Sequence, residues 1–203
     1  MNIFVLNADP HLAARDHCDK HIVKMILEYG QLLSSAHRLL DGKPILLIKP
    51  NNKAQQLLLL PSEVFELNEE KGRYYISNPL MYSMTHANHP SASWARQSVG
   101  NYNWLFALFD GCLAEYTKRY GKVHLAARIK PAVEQAPRNI PTGELTPFAL
   151  AMPEQYRVAD AVTSYQNYYV HDKIRFAKWT NTPAPEWFVS RSGLDSSNFE
   201  RSR

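Results

Sequence analysis

Apolar residues recur at helical spacing between Ile22 and Leu40: Ile22, Met25, Ile26, Tyr29, Leu32, Leu33, Ala36 and Leu40 fall on one side of a predicted helix. The other side carries a polar line of His17, His21, Lys24, Glu28, Gln31 and Ser35, with Lys20 and Arg38 at its edge. Upstream, Asp9 is a natural N-cap and Pro10 a natural first helical residue. The helical pattern therefore runs from Pro10 to about Leu40 with a break near Asp16, and Asp41-Gly42-Lys43-Pro44 ends it. Before it, Asn2 to Leu6 reads as one short strand, followed by a turn over Asn7-Ala8-Asp9-Pro10.

The pattern changes over residues 43–84. Pro44, Pro50 and Pro61 punctuate β-rich pieces such as Ile45–Ile48, Val64–Leu67 and Tyr74–Ile76, and Asn68-Glu69-Glu70-Lys71-Gly72 has the composition of a hairpin turn. This stretch reads as an insertion or lid. Helical periodicity resumes at Pro90 and lasts to Tyr120-Gly121, with Trp94, Tyr102, Leu105, Phe106, Phe109, Leu113 and Tyr116 as its core side. A third helix is predicted over 123–136 with a kink at Pro131, then a proline-rich loop over 137–157, then a last helix from about Asp160 to Trp179. The polar stretch 191–203 reads as a disordered tail. The expected fold is mainly α: one compact helical domain over 1–190 with a short N-terminal strand and the 43–84 insertion.

Composition adds bounds rather than an answer. A chain of 203 residues with 45% hydrophobic content suits one domain with a sizeable core. A net charge of +4 permits nucleic-acid binding and is equally ordinary for an enzyme. Cys18 and Cys112 form no CxxC motif and no disulfide framework, and no run approaches the roughly 20 apolar residues of a membrane span. A cytoplasmic protein with no membrane association is the expectation.

The polar line on the first long helix is the leading candidate for chemistry, because imidazole, amine, carboxylate and amide are the groups that move protons, bind metals or grip phosphate. Its plain reading is a solvated face, with Glu28 pairing Lys24 one turn away. A metal reading uses His17 and His21 at HxxxH spacing, Glu28, and His86 or His89 from the loop Thr85-His86-Ala87-Asn88-His89-Pro90. That loop, with Arg96 just beyond it, is alternatively an anion site at a helix start. Near the C-terminus, Lys173, Arg175 and Lys178 alternate with aromatics, as phosphate contact with base stacking requires, although a core helix with snorkelling cations has the same pattern. No glycine-rich phosphate loop, GxSxG elbow or dinucleotide fingerprint is present in the sequence.

The spacing Asp19-x-His21-x6-Glu28 resembles the start of the phage pyrimidine-dimer DNA glycosylases, the endonuclease V family. Asn88-His89-Pro90, Trp94, the Tyr102–Leu108 stretch and Glu115-Tyr116-x-x-Arg119-Tyr120-Gly121 are similar to a later pattern in bacterial relatives of that family, and the whole chain resembles small phage proteins with an HCDKH…KM.LE helix. The fragments cover about half the chain.

The resemblance implies a compact helical DNA-repair enzyme, a glycosylase with or without lyase activity. It would need no cofactor or metal and would act on DNA or a nucleotide-like substrate. Glu28 takes the part of the catalytic carboxylate, with His21, Lys20 and Lys24 beside it. His17, Gln31, His86, His89, Arg96, Lys173, Arg175 and Lys178 are the expected substrate-binding set. Two departures bear on the chemistry. The family's nucleophile is the N-terminal amine exposed by removal of Met1, whereas residue 2 here is Asn, so Met1, Lys20 or Lys24 is left to supply it. The arginines that flank the family's glutamate are Leu27 and Gln31 here, which opens the choice of lesion. The alternatives are a metal-dependent enzyme on a nucleotide-sized substrate and a non-catalytic phage-type protein that engages a host partner.

Overall fold

The computed structural model describes residues 2–48, 51–61, 63–68, 73–77 and 79–201. Helix α1 (Pro10–Asp16) starts where Asp9 accepts hydrogen bonds from the His11 and Leu12 N–H groups. It stops at His17, whose backbone is extended, and α2 (Asp19–Asp41) starts after Cys18. The predicted break near Asp16 is therefore a true corner.

Strands β1 (Lys43–Ile48) and β2 (Ala54–Leu59) form one antiparallel hairpin, and β3 (Val64–Asn68) and β4 (Arg73–Ser77) form a second. The predicted turn residues 69–72 lie outside the described residues. Next come α3 (Pro90–Ala95), capped by His89, and α4 (Val99–Tyr120), capped by Ser98. Gly121 closes α4 in the left-handed region (φ 64°), returning its N–H to the Thr117 carbonyl.

Three expectations are corrected. The segment 3–6 is buried but joins no strand ladder. Side chains serve it instead: the Tyr29 hydroxyl accepts from the Phe4 N–H, and the Gln166 amide donates to the Leu6 carbonyl. The predicted helix over 123–136 is a 3₁₀ turn (Leu125–Ile129) that leads into a short α5 (Lys130–Val133). The predicted last helix is α6 (Ala161–Tyr168), then one π-helical turn (Tyr169–Lys173) and an irregular return to β5 (Trp179–Thr180).

The described residues of the tail, to Arg201, carry secondary structure. After α7 (Glu186–Ser192), β6 (Glu200–Arg201) pairs in parallel with β5, and Phe199 is buried against Trp179 and Phe188. The architecture is mainly α. The core lies where the apolar side of α2 meets α4, the 3–6 segment and the aromatics of the last forty residues.

Two polar knots lock α2 in place. At its start, Asp19 accepts from the Thr180 N–H and hydroxyl and from Arg119, whose fully buried guanidinium also reaches Glu115 and the Arg15 and His17 carbonyls. The segments Asp19–Glu28 and Glu115–Gly121 thus meet in space through Asp19 and Arg119. At its far end, buried Arg38 forks onto Glu63 at 2.7 Å twice and donates to the carbonyls of Leu58, Met81 and Tyr82. This anchors both hairpins to the helix. Between the knots, Gly30 lets Tyr82 and Ile129 approach α2, since a Cβ there would meet Ile129 at 3.0 Å.

Candidate functional site

The polar line on α2 divides into a buried part and an accessible part. His17 is fully buried. Its Nδ1 lies 2.6 Å from the Ala13 carbonyl, which can only accept, so that nitrogen carries the proton and Nε2 accepts from the Tyr29 hydroxyl at 2.7 Å. Both ring nitrogens are engaged, which leaves none for a metal or a substrate. Burial pushes its pKa down to about 4, with the Arg119 charge adding to the effect.

His21 is also buried. Its ring lies tilted on Phe4 at 4.4 Å and meets the edges of Tyr169 and Phe176. Burial first, then the charges of His17, Lys173 and Lys24, push its pKa down to about 2, so the ring is neutral. Its buried Nδ1 has no hydrogen-bond partner. The assignment of His17 to substrate contact is therefore corrected to a core role, and His21 sits beneath the surface as a neutral ring.

The accessible part begins one turn later. Lys24 Nζ lies 3.1 Å from Glu28 Oε1; the lysine side chain is 69% exposed and the glutamate only 15%. A half-sheltered carboxylate thus faces outward through an exposed amine. As an i,i+4 pair the contact adds only a few tenths of a kcal/mol to stability. Gln31 is half-buried one turn on. Lys20 is exposed but lies two turns, or about 12 Å, before Glu28. Its ammonium rests over Phe176 at 4.9 Å, and the residue lines a shallow recess with Asp19, Val23 and Tyr120. Lys24 is the nearer amine.

The loop before α3 is moored alongside. Ser34 Oγ accepts from the Tyr82 N–H, and Ser35 Oγ accepts from the Thr85 N–H while donating to the Thr85 carbonyl. Sequence reasoning placed Ser35 on the polar line without giving it a role and passed over Ser34; their signal is two hydroxyls on successive positions of a long helix, facing a loop that needs backbone partners. The chain then turns through His86, an exposed residue at φ 49°, a left-handed value that histidine tolerates better than bulky or β-branched residues. His89 caps α3 by accepting from the Ser91 N–H at Nδ1. Burial lowers its pKa, His86 adds to this, and the Glu28 carboxylate opposes it. His89 thus feels the charges of both His86 and Glu28. Arg96 folds back onto this loop, donating to the Ala87 carbonyl and Ser93 Oγ, so part of its hydrogen-bonding capacity is spent on holding the loop.

On the other flank, the π-helical turn presents Lys173, which donates to Asp172 and to the Tyr168 hydroxyl and lies over the Tyr168 ring at 4.2 Å. Arg175 is exposed beside Phe176. Lys178 is turned away, donating to the Asn198 carbonyl, and its expected grip on phosphate is corrected to a bond that ties down the C-terminal segment. Among the described residues no three His, Cys, Asp or Glu side chains gather as a metal site. No described helix is long and apolar enough to cross a membrane.

Compared with protein-family models, with curated proteins and with solved structures, the chain matches none. The functional reading therefore rests on the geometry around Glu28.

Proposed function

We propose that this chain is a DNA-directed base-excision enzyme, a glycosylase in which Glu28 is the catalytic carboxylate. The observation that carries the reading is the Lys24–Glu28 pair at 3.1 Å, an exposed amine against a mostly sheltered carboxylate. His89, which feels the Glu28 charge, supports it as an imidazole within electrostatic reach of that pair.

The chemistry follows from those parts. An amine attacks C1′ of the target nucleotide, and the base departs with the bonding electron pair and takes up a proton. The carboxylate stabilises the positive charge that develops on the sugar and relays protons during ring opening to a Schiff base. Borohydride reduces that imine to a stable amine link. The nucleophile is Lys24 or the α-amine of residue 1, which lies outside the described residues.

Incubation with DNA carrying abasic sites or a panel of modified bases, in the presence of borohydride, should yield a covalent protein–DNA adduct, and peptide mapping then identifies the amine. Absence of both adduct and base release across the panel sinks the proposal.

A second reading, a protein that engages a host partner, is favoured by one observation: the outward face of the β1–β2 hairpin is apolar and exposed.

A further inference from the structure

The far end of α2 helps to enclose a cavity of about 570 Å³, and none of the residues that line it belongs to the group around Glu28. That volume is in the range of small-molecule sites, which run from roughly 300 to 1,000 Å³. Three parts of the chain wall it. α2 contributes His37 and Asp41, the segments that flank the second hairpin contribute Leu60 and Leu80, and α5 with the turn after it contributes Ala132 and Arg138.

The sheltered side of the cavity is apolar and uncharged. Leu60 is buried and Ala132 half-buried. His37 is only 8% exposed, and its neighbours fix the direction of its hydrogen bond. Tyr102 gives its one proton to the Val133 carbonyl at 2.7 Å, so His37 Nε2 donates across the 2.8 Å contact with the Tyr102 oxygen. Burial pushes the His37 pKa down, while the Asp41 charge and the Gln135 carbonyl oppose that shift. The ring is neutral at pH 7.

The rim carries the charge, and hydrogen bonding distinguishes its two signs. Asp41 is the one carboxylate among the lining residues. Both of its oxygens already hold donors: Oδ2 takes the Arg138 N–H, and Oδ1 takes the N–H and the side-chain amide of Asn139. Those bonds tie the 138–139 turn to the end of α2. Arg138 is the opposite case. Its backbone N–H is spent on Asp41, but its side chain is exposed, and among the described residues no hydrogen bond or ion pair engages its guanidinium. A planar fork of five donors thus stands unspent at the edge of an apolar cavity.

This combination selects a ligand. An apolar interior takes an apolar body, and an unspent guanidinium takes a carboxylate or sulfonate. A cationic end group would meet the Arg138 charge and find both Asp41 oxygens occupied. A polyanion would pack further negative charge against Asp41. A single negative charge on a single fork avoids both conflicts.

We propose that this cavity binds a small organic mono-anion, an apolar ring or branched chain that ends in a carboxylate or sulfonate, with its body against Leu60, Leu80 and Ala132 and its anion on Arg138. Such a site needs neither Glu28 nor DNA, and it stands or falls apart from the glycosylase reading.

The test is a fluorescence titration of the full-length protein with anilinonaphthalene sulfonate and, in parallel, with phenylnaphthylamine, which has the same rings and no charge. The sulfonate should saturate at one molecule per chain and bind more tightly than the uncharged probe. R138Q should weaken the sulfonate by about tenfold, as loss of a charge-assisted hydrogen bond requires, and leave the uncharged probe unchanged. A132W, which fills the cavity, should weaken both probes. L80S strips the apolar rim at a position that is 44% exposed, so it should melt near the parent and also weaken both probes. Absence of saturable binding at one site overturns the proposal, as does equal affinity of the parent for the two probes. It is also overturned if R138Q binds the sulfonate like the parent, or if L80S binds both probes like the parent, which would place the probes elsewhere on the surface.

Discussion

The Tyr29 hydroxyl donates to His17 Nε2 across 2.7 Å, and the same oxygen accepts the Phe4 N–H. One phenol therefore satisfies two buried groups, one from the corner between α1 and α2 and one from the N-terminal segment. Tyr29→Phe keeps the ring and removes both bonds. Each orphaned buried group costs about 1–3 kcal/mol, so urea unfolding should show a loss of about 2–4 kcal/mol with an unchanged m-value. A loss under half a kcal/mol would mean that the corner does not depend on this bond.

Neutral buried histidines make stability depend on pH. His17 titrates at about 4 and His21 at about 2 in the folded chain, both driven down chiefly by burial, against 6.5 when unfolded. Between those values the unfolded chain binds protons that the folded chain refuses, so acid favours unfolding. The stability held above pH 6.5 declines as pH falls toward 4, by up to about 1.4 kcal/mol per unit for each ring. Asp16, pushed up by burial, works the other way over a window near and above 3.8 and offsets part of the loss. Melting temperatures measured from pH 7 to pH 4 should fall steadily, and His17→Gln should shallow the fall. A flat profile would show that His17 and His21 are not held neutral.

Arg38 and Glu63 predict a large effect with a particular asymmetry. Glu63→Gln leaves a buried guanidinium with its charge uncompensated, which costs about 3–5 kcal/mol. Replacing both partners by apolar residues often restores stability in buried pairs. Here it should not, because Arg38 also serves three backbone carbonyls and Glu63 serves the Leu60 N–H. Arg38→Met with Glu63→Leu should recover less than half of the loss. Full recovery in guanidinium unfolding would show those backbone groups to be served by water.

Much of the local architecture is legible in the sequence because it is set by local chemistry. Asp9 and Pro10 mark the start of α1, Gly42 the end of α2, His89-Pro90 the start of α3 and Gly121 the end of α4. The antiparallel β3–β4 pair follows from the predicted runs at 64–67 and 74–76, whereas β2, the partner of β1, is not among the predicted pieces. What fails to read is decided by distant contacts. The polar line on α2 has one periodicity from His17 to Ser35, yet its first two members are covered by Phe4 and by Tyr169 and Phe176, from opposite ends of the chain. Nothing at positions 17 and 21 announces that cover. The 3–6 segment has the apolar run of a strand, but its backbone partners are single side chains such as Gln166, more than 150 residues away. The polar composition of the tail conceals Phe199, one aromatic that is buried against Trp179 and Phe188. In the candidate site, Glu28 pairs with Lys24, whereas Lys178 is spent on the Asn198 carbonyl and Arg96 is partly engaged by its own loop.

Glu28→Gln and Lys24→Ala separate catalysis from stability at the site itself. Their ion pair is exposed on the lysine side and adds at most a few tenths of a kcal/mol, so Lys24→Ala should melt within a degree or two of the parent. Under the proposed chemistry, Glu28→Gln keeps the shape and loses the charge that stabilises the developing cation. Single-turnover base release should fall by about 10²–10⁴-fold with little change in duplex affinity. Lys24→Ala tests one of the amines: loss of the borohydride adduct with base release reduced assigns the nucleophile to Lys24, and a retained adduct excludes it. Base release by Glu28→Gln within threefold of the parent would remove Glu28 from the chemistry and leave the Lys24–Glu28 contact as an ordinary helix-surface ion pair.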